Sequence, residues 1–185
     1  MSQIPVLTLK PKRDKPLVQK HPWVFSGALQ KIPSLPAGSI VDICSHKGEF
    51  LGRGYYNSGT SLCARVLSFA KVEINYEFIL HKIRTAADFR KALGLSEKDS
   101  YRVVSSEADF LPGLIVEKFG SCIIVQVTTA GMEALLPHVE KALMEIFPKY
   151  SIVERSDDPM RKKEGLENKS RIITGDKIDP PVEII

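Results

Sequence analysis

The sequence predicts an α+β protein of two units, a leading β-barrel and a trailing strand–strand–helix–strand layer. Three patterns carry that expectation. Residues 1–70 hold short alternating segments separated by Gly, Pro, Ser and Asn clusters, as small barrels and sandwiches do. Residues 76–93 switch to helical period. Beyond residue 100, strand-like runs flank a glycine turn and lead into an amphipathic segment.

Taken in order, VLTL at 6–9 alternates like a strand, and residues 15–19 fit one helical turn. Pro22 biases His21 away from the α region. Trp23 and Phe25 alternate on one face of a further short segment. Residues 38–44, 49–56 and 62–67 read as three strands, with a turn at 46–48. Tyr76, Ile79, Ile83, Ala86 and Leu93 recur at helical spacing, and Gly94 suits a C-cap, so residues 71–99 are expected to hold a connecting helix. The second unit, 100–185, opens on a strand at 101–104 and a loop at 109–113. Residues 114–118 and 122–127 flank Gly120, which supplies positive φ to a hairpin turn. Leu135, Leu136, Val139, Leu143 and Ile146 share one side of a helix over 132–147, and Pro148 helps end it. A strand returns at 152–154. The final PPVEII reads either as a strand closing this sheet or as one leading out of it, the mark of a truncated chain.

A length of 185 residues allows one domain or two small ones. With 43% hydrophobic and 26% charged residues, wholesale disorder is excluded. No apolar run is long enough for a membrane span, and the N-terminus lacks the pattern of a secretory signal. Cys44, Cys63 and Cys122 are odd in number and far apart, which argues against a disulfide framework and for a cytoplasmic location. The net charge of +4 is concentrated: residues 1–31 carry Lys10, Lys12, Arg13, Lys15, Lys20 and Lys31 against Asp14 alone. Such asymmetry points to an anionic partner.

Catalytic signals are weak. The Gly-x-Gly at 52–54 is followed by no helix start, so a bulge within a barrel strand explains it better than a nucleotide loop. The four histidines are isolated, which argues against a metal site. Each cysteine has apolar neighbours, as a small buried hydrophobe would. Glu107 and Asp109 are weighed as an acid–base pair, but carboxylates flanking a turn are commoner.

Nucleic acid is the stronger reading. Lys10, Lys12, Arg13, Lys15, Lys20 and His21 run into Trp23 and Phe25, interleaving cations with aromatics. Cations neutralise phosphates and release counterions, and aromatic rings stack on unpaired bases. The alternation of Trp23 and Phe25 suits core packing better than base stacking. Arg53 and Arg65 would extend the basic face from the barrel strands. Arg161 and Lys162, with Lys163, form a second RNA candidate, set against a local ion-pair network of Arg155, Asp157, Arg161 and Glu164 that fixes a loop.

Four segments then stand out together: HPWVFSGA at 21–28; GRGYY at 52–56 with ARV at 64–66; EADFLPGLIVEKFG at 107–120; and ERSD at 154–157 with RKKEGL at 161–166. In this order they resemble the N-terminal part of bacterial class I S-adenosylmethionine-dependent methyltransferases that act on cytosine C5 of 23S ribosomal RNA. The resemblance implies a PUA domain, a pseudo-barrel that binds RNA, over about 1–70. A central α+β domain would cover about 100–180. The catalytic Rossmann-like domain would follow and is not expected within this chain. In the family that third domain holds the methyl donor, and a cysteine there adds to C6 of the base. None of Cys44, Cys63 or Cys122 lies in the Pro-Cys context of such enzymes, so no catalytic, cofactor-binding or metal residue is carried over. The resemblance therefore implies an RNA-binding portion without activity of its own, 23S rRNA as partner, no membrane, and room for a homodimer. The competing reading is a free-standing RNA-binding or ribosome-associated module.

Overall fold

The computed structural model describes residues 4–175. Five short strands form the first sheet: β1 (Val6–Thr8), β2 (Trp23–Phe25), β3 (Ser39–Cys44), β4 (Phe50–Tyr56) and β5 (Leu62–Ser68), in the order β1-β3-β4-β5-β2. Only β1 and β3 run parallel within it. The helical turn α1 (Lys15–Val18) lies between β1 and β2, with Pro16 in its first turn. Side chains alternate along each strand, so one set closes an inner core of Leu7, Leu9, Leu17, Val24, Val41, Ile43, Tyr56, Ala64 and Val66. At Gly54 the β4–β5 register shifts, and a Cβ there would sit 2.0 Å from the Arg65 carbonyl oxygen. The Gly-x-Gly is thus a close approach between strands, as the sequence suggested.

The second sheet holds β6 (Ser100–Ser105), β7 (Leu114–Phe119), β8 (Cys122–Val127), β9 (Ser151–Ser156) and β10 (Lys169–Thr174), in the order β10-β9-β8-β7-β6. Between them lie α2 (Tyr76–Ala92), α3 (Ala130–Ile146) and the single turn α4 (Met160–Lys163). Asn75 and Thr129 cap α2 and α3 by accepting the amides of Phe78 and Met132. Gly94 after α2 and Gly120 between β7 and β8 both adopt positive φ. β8 and β9 are parallel, with α3 as their crossover. The helix expected as a connector is part of this core: Ile79, Leu80, Ile83 and Ala86 of α2 are buried with Val103, Val125, Leu136 and Val139. The strand–strand–helix–strand expectation omits α4 and β10. The closing PPVEII lies outside the described residues, and no described helix is long and apolar enough to cross a membrane.

The outer faces of the first sheet explain how the units join. Ile40, Tyr55, Arg65 and Trp23 are register neighbours across β3, β4, β5 and β2 and form one outward row. Tyr55 of that row is fully buried in the second unit's core. Its hydroxyl donates to the Pro112 carbonyl at 3.0 Å and lies 2.9 Å from Thr129 Oγ1. Gly131 makes room for the ring, since a Cβ there would fall 1.9 Å from Tyr55 Cγ.

Candidate nucleic-acid interface

β2 is an edge strand, and its alternation decides which side chains meet solvent. Val24 turns into the barrel core, so Trp23 and Phe25 turn outward and remain 37% and 51% exposed. This corrects the expectation that both rings pack in the core: the inner position of this strand belongs to the residue between them. His21 and Trp23 meet edge to face at 5.3 Å, and Trp23 and Phe25 at 6.5 Å. The Trp23 amide donates to His21 Nδ1 at 3.3 Å, and its indole Nε1 donates to Glu107 Oε1 at 3.2 Å. The second unit thereby braces the ring from one edge and leaves the rest open.

Facing these rings is the segment around α1. Lys12 and Lys20 take positive φ, uncommon outside glycine, and they bracket α1 at either end. A groove of about 430 Å³ results, lined by Lys12, Arg13, Lys15 and Pro16 together with Trp23, Phe25, Gly27 and Ala28. Lys10 sits beside it and donates to the Gly27 carbonyl at 3.0 Å. Lys10, Lys12, Arg13, Lys15, Lys20 and His21 are all exposed. Cations and aromatic faces therefore share one concave surface, suited to a phosphate backbone with unpaired bases.

Three arginines from the sequence-based site lie elsewhere, and their assignment is corrected. Arg53 forms a bidentate pair with Asp42, its cross-strand neighbour, at 2.6 and 3.0 Å, and donates to the Val72 carbonyl. Arg65 is buried against Glu164, with Nη2 2.9 Å from Oε1. Arg161 has no exposed surface; it donates to the Val127 and Glu167 carbonyls and to Glu133. Charges taken out of water need such partners, and a guanidinium so engaged offers nothing to a phosphate. Lys162 stays exposed on α4, outside the groove. The local network expected around Arg161 is also rearranged. Arg155 pairs with Asp157 at the surface, while Glu164 reaches the first sheet instead.

Glu164, expected only in a local loop network, is instead a residue that joins the two units. Its Oε2 accepts from Asn57 Nδ2 at 2.8 Å and from the Ala130 amide at 3.3 Å, while Arg65 lies against Oε1. Glu107 and Asp109 likewise hold structural positions rather than an acid–base pair. Glu107 bonds Trp23 and the Ser106 hydroxyl, and Asp109 is clamped by Arg90 at 2.5 and 2.8 Å. Burial raises the pKa of all three cysteines, Cys63 to about 11, so none is a ready thiolate. The glycines at 52–54 are closed by β5 and do not fit a methyl-donor loop.

Residues 7–69 match the model of the PUA-like domain. The match spans the whole first sheet except the start of β1, and so contains the groove. The chain as a whole is 36% identical over 178 residues to ribosomal RNA large subunit methyltransferase I of Salmonella schwarzengrund, covering 95% of this chain and 44% of that protein. The Escherichia coli protein of the same name is 36% identical over 173 residues, covering 92% and 44%. The chain thus spans less than half the length of these curated relatives. Among solved structures, a protein of Streptococcus mutans described as a SAM-dependent methyltransferase superposes with a TM-score of 0.79 at 17% identity, over 95% of this chain and 44% of that one. A second solved structure, described as a methyltransferase complexed with SAH, gives 0.78 at 17% identity. These likenesses show a shared fold: the PUA-like domain and the second sheet recur together.

Proposed function

We propose that this chain is the RNA-holding portion of an S-adenosylmethionine-dependent methyltransferase of large-subunit rRNA, with cytosine C5 of 23S rRNA as the target atom. The supporting observation is the groove, where Lys12, Arg13 and Lys15 face the exposed rings of Trp23 and Phe25. RNA is recognised mainly through its shape, its 2′-hydroxyls and its splayed bases, and this surface offers cations and stacking faces for that purpose. The second unit, locked to the PUA-like domain through Tyr55 and Glu164, sets the angle at which bound RNA is presented. In this reading the methyl donor belongs to the part of the relatives beyond the match.

The test is fluorescence anisotropy with a labelled 23S rRNA hairpin at increasing salt. Log affinity should fall linearly with log salt. Lys12→Glu combined with Arg13→Glu should weaken binding by about tenfold or more and reduce the salt slope by about one unit per lost phosphate contact. Salt-independent binding, or an unchanged double variant, would refute the assignment.

A further inference from the structure

Beyond the groove, the seam carries a second arrangement of cations and rings. Lys20 Nζ sits 4.8 Å from the centroid of Phe69, at the end of the first sheet. Phe69 meets Phe110 of the second unit edge to face at 6.0 Å. Lys82 Nζ of α2 lies 5.1 Å from the Phe110 centroid and 5.7 Å from that of Phe78. The two ammonium groups are therefore no more than about 16 Å apart, the span of a few nucleotides.

We infer that bound RNA continues from the groove across the seam along Lys20, Phe69, Phe110 and Lys82, with the two lysines each taking a backbone phosphate. This rests on the RNA reading above and extends it to named residues of the second unit.

Three features support the extension. First, neither lysine has a carboxylate within salt-bridge distance among the described residues, whereas Arg53, Arg65, Arg90 and Arg161 all do. An ammonium over a ring face is positioned without using up its N–H donors. Second, Lys82 is half-buried, and desolvation lowers its pKa, with Asp109 opposing that effect. A desolvated cation lacking a bonded anion favours an incoming one. Asp109 itself is held by two bonds from Arg90 and by the Ser105 amide, so its charge is already offset. Third, the strip is preorganised. Phe110 takes a left-handed conformation, φ 53°, directly after the clamped Asp109. The same turn carries Glu107, the hydrogen-bond partner of Trp23. One turn of the second unit therefore touches both the groove's indole and the strip. Beside it, a cleft of about 290 Å³ is lined by Lys82, Phe110 and the exposed Phe89.

The experiment compares two fluorescein-labelled probes, the 23S rRNA hairpin and the same hairpin with a single-stranded extension at either end. The extended probe should bind more tightly than the hairpin alone. Lys20→Ala with Lys82→Ala should remove that gain and lower the salt slope by roughly 1.4, about 0.7 for each single-strand phosphate contact. Lys20→Arg with Lys82→Arg should keep most of it. The groove variant should weaken both probes. If the extension adds nothing, or the alanine pair matches wild type while the groove variant is impaired, the strip is refuted and the groove stands. Loss in both the alanine and arginine pairs would mark a packing role and also overturn the inference. If neither groove nor strip variants change binding, the RNA reading itself fails.

Discussion

At the seam, Arg65 lies almost wholly out of water against Glu164, while at the groove Lys12, Arg13 and Lys15 face solvent with no carboxylate partner among the described residues. The same kind of charge serves two ends. A paired, buried guanidinium fixes how one sheet sits on the other and has nothing left for a ligand. An unpaired surface cation contributes little to folding but is free to neutralise a phosphate, and release of the counterions condensed on the nucleic acid then drives binding. Substitutions in the buried Arg65–Glu164 pair should therefore change stability and leave the salt slope of RNA binding alone; those of the groove cations should do the reverse.

The largest expected effect tests the seam. Glu164→Ala leaves Arg65 buried without its anion and removes acceptors from Asn57 and the Ala130 amide. Breaking one side of a buried pair costs about 3–5 kcal/mol. For a chain of this size that is on the order of 10 °C in melting temperature. A thermal or denaturant melt measures it, and a wild-type curve would mean the pair is not a lock.

Next in size is Gly131→Ala. The added methyl would overlap the Tyr55 ring at the point where the barrel strand enters the second core. Overpacking of this kind costs about 3 kcal/mol where neither side can yield, and both sides are buried here. A simultaneous Tyr55→Phe change would not relieve the clash, because the contact is with the ring and not the hydroxyl. A Gly131→Ala protein as stable as wild type would show that the units tolerate sliding, and the fixed angle between them would have to be given up.

The cations and aromatics of the groove were legible in the sequence because they are near neighbours along residues 10–25, but the outward turn of the rings was not, since β5 and Glu107 of distant chain set it. Most strands and both long helices were legible for the same reason, since period and punctuation act over a few residues. The seam was hidden because its partners are distant. Arg65 and Glu164 stand 99 positions apart, and nothing near either one announces the other. Arg53, Arg65 and Arg161 thus looked like available cations until their carboxylates were placed. Periodicity identified α2 as a helix but could not name the face that α3 covers. β10 was missed because its polar first half gives no alternation and, among the described residues, only β9 pairs with it.

The face assignment of β2 supplies the smallest and most discriminating prediction. Alternation alone says that Trp23 and Phe25 share a side; the structure says that side is outward, and that Val24 faces the barrel core. Trp23→Ala should then leave the melting temperature nearly unchanged while weakening RNA binding about fivefold, at the low end of the 1–3 kcal/mol assigned to one stacked base. The Glu107 hydrogen bond is lost with the ring, but Glu107 keeps its bond to Ser106 and is not stranded. Val24→Ala, one residue away, should do the opposite, with a loss of about 1–2 kcal/mol in stability and the same affinity for RNA. Melting and anisotropy on the two variants measure both effects. If Trp23→Ala destabilises the fold and Val24→Ala does not, the inner and outer faces of the strand are exchanged, and the open aromatic wall of the groove is lost with them.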